Sequence, residues 1–392
     1  MLPKKVLIKQ KMKIQRAEIY PLSIPLIEPI KMSREMIVDA KTVLLCLTDE
    51  QGRQGWGEAS VAPLMTGETL DSLVGSIKYL VEKSLQVDWE NPNRFAEIFN
   101  GILYLNASAK SCLEMALLDL YTQDASIPLW QYLRGENAAL NESTPPAIPL
   151  LRMLGGSLEK ELSDAKALRE LGFRHWKIKI GLLPLEQDLH RVNMLCDLLV
   201  GDTISVDANC ALNLADAVRF CESKEAARLT FVEQLIPADL PIGDFMSLKK
   251  RSAIPVCLDE SIHGIEELEQ FIEADAFDGA SLKLIKTGGV IPGLACAKLL
   301  KRNKLKLNLA CKVAETSISA AATASLGFAV GDVAWGFSMS NQYLQLDVCD
   351  KPLIAINGHV DTSQLAQSGV GVTPNINRVK EVIAKGYSII QC

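Results

Sequence analysis

A chain of 392 residues, 48% hydrophobic and 22% charged, is longer than one core usually fills, so two domains are expected. Its formal net charge of −6, with no Lys/Arg cluster recurring beyond the first residues, argues against nucleic acid as a partner; acidic substrates must be attracted locally, by metal or lysine. No run of about 18 apolar residues marks a membrane span, and ten scattered cysteines without a C-x-x-C pair point to a reducing cytoplasm rather than to disulfides or zinc.

Residues 1–11 read as a basic, loosely ordered extension without the apolar stretch of a signal peptide. From Met12 to about Ser60 the pattern is β-rich, with KIQRAEIYPLSIPL, KTVLLCLTD, a turn at Asp49–Gly52 and RQGWGEAS forming a three-stranded antiparallel meander. Two irregular segments, one carrying Met32 and one carrying Thr66, fall at the same edge of that sheet. They are either a cover for the site below or plain surface loops.

Residues 69–135 are helical by period, with Leu113, Ala116, Leu117 and Leu120 on one buried face. The linker Ser143–Pro146 sets the domain boundary, giving an α+β capping domain over 12–145 and a barrel over 146–360. The tail, about 361–392, is expected to pack back and complete the first domain.

Inside the barrel, short apolar runs end in charge at regular steps. RHWKIKIG carries Lys177 and Lys179, TISVDAN closes on Asp207 and Asn209, LTFVEQ on Glu233, IPVCLDES on Asp259 and Glu260, and GASLKLIKTGG carries Lys283. From Lys179 onward the steps are 28, 26, 26 and 24 residues, each about one strand, one helix and two loops. That is the period of a (β/α) barrel, whose strand ends surround a single mouth.

Asp207, Glu233 and Asp259 on adjacent strands offer oxygen ligands to a hard cation, Mg²⁺ first and Mn²⁺ as the alternative. Asn209 shares a side with Asp207 and orients a ligand or contacts metal-bound water, whereas Glu260 points away from Asp259 and supports the site indirectly. Lys177 and Lys179 share the barrel-facing side, and two close ammonium groups each favour losing a proton, which suits a general base. Lys283 faces the same mouth from the opposite wall, and Lys286 is expected in the following loop. Two bases flanking a metal-bound carboxylate suit removal of the proton α to that carboxylate, the Lys-plus-Mg²⁺ device that the enolase superfamily exemplifies.

K-x-K, D-x-N, E-Q, D-E-S and L-K-x-x-K-x-G-G in this order resemble the muconate-lactonizing-enzyme subgroup of the enolase superfamily, and GWGEAS and ALLDLY…PLWQYLRG in the first domain also match. The resemblance implies a modified TIM barrel, (β/α)7β, under an α+β cap. It implies Mg²⁺ on Asp207, Glu233 and Asp259, acid–base roles for Lys179 and Lys283, Lys177 tuning Lys179, and a homo-oligomer. Glu315 matches a glutamate common after the seventh strand, while Lys312 is either a third ionisable group in the mouth or a charge on its rim. None of the four histidines ends the seventh strand, which disfavours the mandelate racemase branch. Ser338 stands where cycloisomerases carry a glutamate, and FSMSN lacks the D-x-D of dipeptide epimerases.

The expectation is a Mg²⁺-dependent isomerase that racemises or epimerises a small carboxylate or amino-acid derivative. Muconate-type cycloisomerisation, syn-elimination of water and o-succinylbenzoate synthesis use the same site. A Schiff-base aldolase on Lys283 and a non-catalytic binding barrel are the readings from other classes.

Overall fold

The computed structural model describes residues 12–32, 35–85, 87–135 and 144–392. The basic extension 1–11 and Ser143 of the linker lie outside the described residues.

The first domain is built on a long antiparallel pair, β1 (Ile14–Lys31) and β2 (Met36–Asp49), in a register that sets Tyr20 opposite Leu44, with β3 (Gln54–Ser60) beside β2. The helices α1 (Leu70–Ser84), α2 (Phe95–Ile102), α3 (Ala107–Asp124) and α4 (Leu129–Arg134) follow. Thr69 and Ser72 form a reciprocal capping box that starts α1. The middle helix, α3, is buried on every side from Ser108 to Thr122, because it lies between the sheet and the barrel. Gly55 and Gly57 allow that approach: a Cβ on Gly57 would sit 1.9 Å from the Cys112 carbonyl oxygen.

After the short β4 (Ile148–Pro149) the chain enters the barrel: β5 (Leu151–Leu154), α5 (Leu158–Glu170), β6 (His175–Lys179), α6 (Leu185–Leu198), β7 (Thr203–Asp207), α7 (Leu214–Cys221) and β8 (Phe231–Glu233). It continues through α8 (Ile242–Arg251), β9 (Val256–Leu258), α9 (Ile265–Glu273), β10 (Gly279–Leu282), the single turn α10 (Leu284–Thr287), α11 (Val290–Arg302), β11 (Lys306–Ala310), α12 (Ser317–Val330) and β12 (Phe337–Ser338). All eight strands are parallel neighbours in chain order, and a bridge from Leu150 to Phe337 closes the ring. The expected (β/α)7β barrel under an antiparallel cap is therefore the fold. Among the described residues no helix is long and apolar enough to cross a membrane.

The tail contributes β13 (His359–Val360), paired with β4, then α13 (Ile376–Glu381) and β14 (Ile390–Gln391), a fourth cap strand beside β1.

Buried carboxylates join cap to barrel. Glu58 on β3 accepts hydrogen bonds from Thr316 N and Oγ1 and Ser319 N at the start of α12, and Glu114 on α3 accepts from Val290 N and Ile291 N at the start of α11. Each satisfies donors that a helix N-terminus leaves open. The cap is thereby held over the β10–β12 side of the mouth.

Candidate active site

Register brings the charged strand ends level. Lys179 pairs with Asp207 across β6 and β7, and Asp207 with Glu233 across β7 and β8; Glu233 is opposite Cys257 on β9, with Asp259 two residues further on. Residues two apart on a strand share a side, so Lys177 stands beneath Lys179 on the inner wall. Lys283 follows β10, and β6 and β10 are four steps apart in a ring of eight, hence on opposite walls.

Each carboxylate is engaged by lysine. Lys177 Nζ lies 2.6 Å from Glu233 Oε2 and 3.9 Å from Asp207 Oδ2. Lys179 Nζ donates to Asp207 Oδ2 at 2.7 Å and to Asn209 Oδ1 at 2.6 Å. Lys283 Nζ contacts Asp259 Oδ2, and Lys286 Nζ donates to Asp259 Oδ1 at 2.6 Å and to the Asp259 carbonyl. All of these groups are buried except Asn209, which is half-buried.

Beyond the strand ends the backbone turns sharply. Asn209, Cys210 and Gln234 have φ of 42°, 66° and 38°, a left-handed conformation uncommon for side-chain-bearing residues and often found at functional sites. Asn209 N bonds Asp207 Oδ1 at 2.9 Å, and Asn209 Nδ2 donates to Glu260 Oε1 at 3.0 Å, so Glu260 steadies the arrangement through Asn209. Gln234 Oε1 accepts from Asp259 N at 2.9 Å and Ser261 N at 3.2 Å, locking the end of β9 to that of β8.

A cavity of about 430 Å³ opens above these groups. Met32, Leu64, Met65, Val313 and Met339 form its apolar wall, and Glu35, Asp239 and Lys312 add charge. Both cap segments thus reach the mouth, although the first is not the irregular loop expected: β1 and β2 extend through it, pairing Lys31 with Met36. Thr66 does not line the cavity: its amide and hydroxyl turn back to the Ala62 carbonyl, and the neighbouring Leu64 and Met65 face the site instead. His263 bonds the Met65 carbonyl at 2.9 Å, tying this loop to the barrel. Ser338, at the end of β12, lines the cavity, and its buried Oγ has no hydrogen-bond partner among the described residues. Glu315 lies behind the wall, accepting from Ser60 Oγ and Lys312 N, both at 3.0 Å.

Burial and charge pull the titrations apart. Burial would raise Asp207, but Lys179 and Lys177 outweigh it and hold the carboxyl below its usual range; Lys283 and Lys286 do the same, more strongly, for Asp259. Glu233 is raised by burial despite Lys177, and burial with the Asp259 charge pushes Glu260 to about 7. The Lys177 ammonium is not destabilised by its lysine neighbour as expected. Burial works against it, yet Glu233 and Asp207 hold it above the ordinary lysine range. Lys283 is pushed up to about 12, against burial, by Asp259, Glu260 and Glu233.

Residues 160–379 match the family model described as enolase C-terminal domain-like, and residues 16–134 the N-terminal domain of mandelate racemase / muconate lactonizing enzyme. The chain belongs to the enolase superfamily. Within it, the chain is 29% identical over 289 residues to the L-Ala-D/L-Glu epimerase of Bacillus subtilis (strain 168), covering 71% of this chain and 75% of that one. It is 26% identical over 384 residues to the o-succinylbenzoate synthase of the same organism, covering 95% and 97%. The crystal structure of a dipeptide epimerase from Cytophaga hutchinsonii, complexed with Mg and the dipeptide D-Ala-L-Val, shares the fold with a TM-score of 0.85 at 21% identity, covering 97% of this chain and all of that one.

The donor set fits the superfamily's cation in chemistry. Asp207, Glu233 and Asp259 are all-oxygen donors on three neighbouring strands, and Glu233 Oε1 is buried without a hydrogen-bond partner among the described residues. As oriented, they do not form a ready cage. No three acid, His or Cys side chains among the described residues converge as a metal-binding group, because each carboxylate is turned to a lysine.

Lys286, like Thr66, departs from the sequence expectation. Instead of lying in a loop, it sits within α10 with a fully buried side chain whose ammonium also reaches the Ser281 carbonyl. The signal was the glycine pair behind it. Gly288 and Gly289 have φ of 83° and 143°, and a Cβ on Gly289 would collide with the Glu114 carboxylate that caps α11.

Proposed function

We propose that this chain is a Mg²⁺-dependent racemase or epimerase that removes the proton α to a substrate carboxylate on one face and returns it on the other. The observation that carries the reading is the placement of Lys179 and Lys283 on opposite walls, each hydrogen-bonded to one of the acidic strand ends. A planar carbon formed between two amines can be reprotonated by either, so one site works in both directions. Asp207, Glu233 and Asp259 would hold the cation, which would supply Lewis-acid polarisation of the substrate carboxylate.

Lys177, held by Glu233 and Asp207, stays an ammonium and stabilises negative charge developing beside Lys179. Asn209 orients Lys179. The Met32 and Met65 side chains at the mouth exclude water from the reacting carbon. The likeness to L-Ala-D/L-Glu epimerase supports amino-acid derivatives as the substrate class.

A second reading, a one-face elimination like that of o-succinylbenzoate synthase, is favoured by the near-complete overlap with that relative. Incubation with N-acyl amino acids and dipeptides in D₂O, with Mg²⁺ and after chelation, separates the two. Metal-dependent α-deuteration with loss of optical purity supports the racemase. Absence of exchange in every substrate tried, alongside turnover of a β-hydroxy acid to an alkene, supports the elimination.

A further inference from the structure

Four lysines of the mouth are in close contact with a carboxylate, whereas the carboxylate nearest a fifth, Lys312, lies at the edge of ion-pair distance. Lys177, Lys179 and Lys286 each have a carboxylate oxygen at 2.6–2.7 Å, and Lys283 shares Asp259 with Lys286. Lys312 lines the same cavity from the loop after β11, with a side chain only 14% exposed. Its Nζ bonds the Val313 carbonyl at 3.2 Å, and its nearest carboxylate, Glu35 Oε1, is 3.9 Å away on the cap hairpin, too far for a charge-assisted hydrogen bond. Glu315, three residues on, gives its oxygens to Ser60 and to the Lys312 amide instead.

A mostly buried ammonium with three donors and one near acceptor is costly unless something else pairs with it. Burial and the charges of Lys283 and Lys179 push Lys312 below the usual lysine range, with Glu35 and Glu315 opposing. Ser338, paired with Ala310 across β11 and β12 just before Lys312, lines the same cavity, although its own hydroxyl is buried behind the wall. Lys312 therefore presents to the cavity a charge that one backbone carbonyl and one distant carboxylate leave incompletely matched, on a wall that includes the apolar Val313 and Met339.

We infer that Lys312 anchors a second acidic group of the substrate, so that the site takes dianionic compounds, one carboxylate at the acid-and-lysine end and the other at Lys312. The inference rests on the reading above that the mouth binds a carboxylate substrate. The body between the two acids packs on the methionines of the cavity wall. Glu35 holds Lys312 until the second acid displaces it. The volume of about 430 Å³ lies within the roughly 300–1,000 Å³ of small-molecule pockets and accommodates such a span.

Calorimetric binding to the full chain with excess Mg²⁺, using hexanoate, adipate and 6-aminohexanoate as probes of equal length, tests this. Adipate should bind roughly tenfold or more tightly than hexanoate. That advantage should vanish in Lys312→Met and return in Lys312→Arg. In Glu35→Gln, where the competing carboxylate is gone, adipate affinity should rise by roughly two- to fivefold, and this holds even if Lys312→Met fails to fold. Hexanoate bound as tightly as adipate, or an advantage unchanged in Lys312→Met and Glu35→Gln, overturns the inference while leaving the carboxylate site intact. A preference for 6-aminohexanoate also overturns it, in favour of Asp239 or Glu35 as the reader of a cationic group. If none of the three binds, the carboxylate reading fails and the subsite with it.

Discussion

Lys286 and Asp259 form an ion pair more deeply buried than any other among the described residues, with side chains 0% and 1% exposed. The ammonium holds both the Asp259 carboxylate, at 2.6 Å, and the carbonyl of the same residue, so it sets the direction in which the end of β9 presents its acid. Breaking a buried pair from one side costs up to about 3–5 kcal/mol, less here because Lys283 remains beside Asp259. Lys286→Met should therefore lower the urea midpoint clearly. An unchanged midpoint would mean that Lys283 alone satisfies Asp259.

What could be read from the sequence follows from which parts of the chain obey a period. The strand-plus-helix rhythm and the alternation of side chains place Lys177, Lys179, Asp207, Glu233 and Asp259 on one inner wall, and register confirms them as neighbours. Past a strand end no period applies. Lys286 sits three residues beyond Lys283, where a one-turn helix swings it back into the core, and Thr66 gives way to Met65 because a tight turn on Ala62 decides which side chain faces inward. The upward shift of Lys177 is illegible in the sequence for a different reason. Like-charge repulsion was visible in K-x-K, whereas the 2.6 Å approach of Glu233 from two strands away was not.

Glu233 tests the metal reading. Its Oε1 is buried without a hydrogen-bond partner among the described residues and its Oε2 faces Lys177, so a Gln would present an amide nitrogen in place of one carboxylate oxygen. Glu233→Gln should weaken Mg²⁺ binding, read by calorimetry, by roughly tenfold or more, with activity falling in parallel. Metal affinity equal to wild type would remove Glu233 from the ligand set.

Glu315 and Glu58 predict a pH dependence of stability. Burial raises Glu58 while its hydrogen bonds from Thr316, Ser319 and Thr42 oppose the rise; Glu315, raised to about 8 by burial and by Glu58, keeps the proton. Its folded value lies above its unfolded value of about 4.5, so the folded chain binds the extra proton between the two. Its stabilising contribution is complete below about 4.5 and is lost as pH rises through about 8. Melting temperatures measured from pH 5 to 9 should show a shallower decline in Glu315→Gln, which mimics the protonated acid. Parallel curves for the two proteins would show that Glu315 is ionised throughout.

The two opposed lysines separate racemisation from any one-face reaction. Lys179 on β6 and Lys283 after β10 approach a bound substrate from opposite walls, so each is base for one enantiomer and acid for the other. Removing either should lower turnover by about 10²–10⁴-fold, the usual contribution of one acid–base group. In D₂O, Lys283→Ala should still exchange the α-proton of the enantiomer that presents it to Lys179, and Lys179→Ala that of its mirror image, with racemisation lost in both. In an elimination or a cycloisomerisation only one lysine takes the proton, while the other serves as a charge beside the developing anion. Exchange of both enantiomers abolished in one variant and substantially kept in the other would assign this chain to that one-face chemistry.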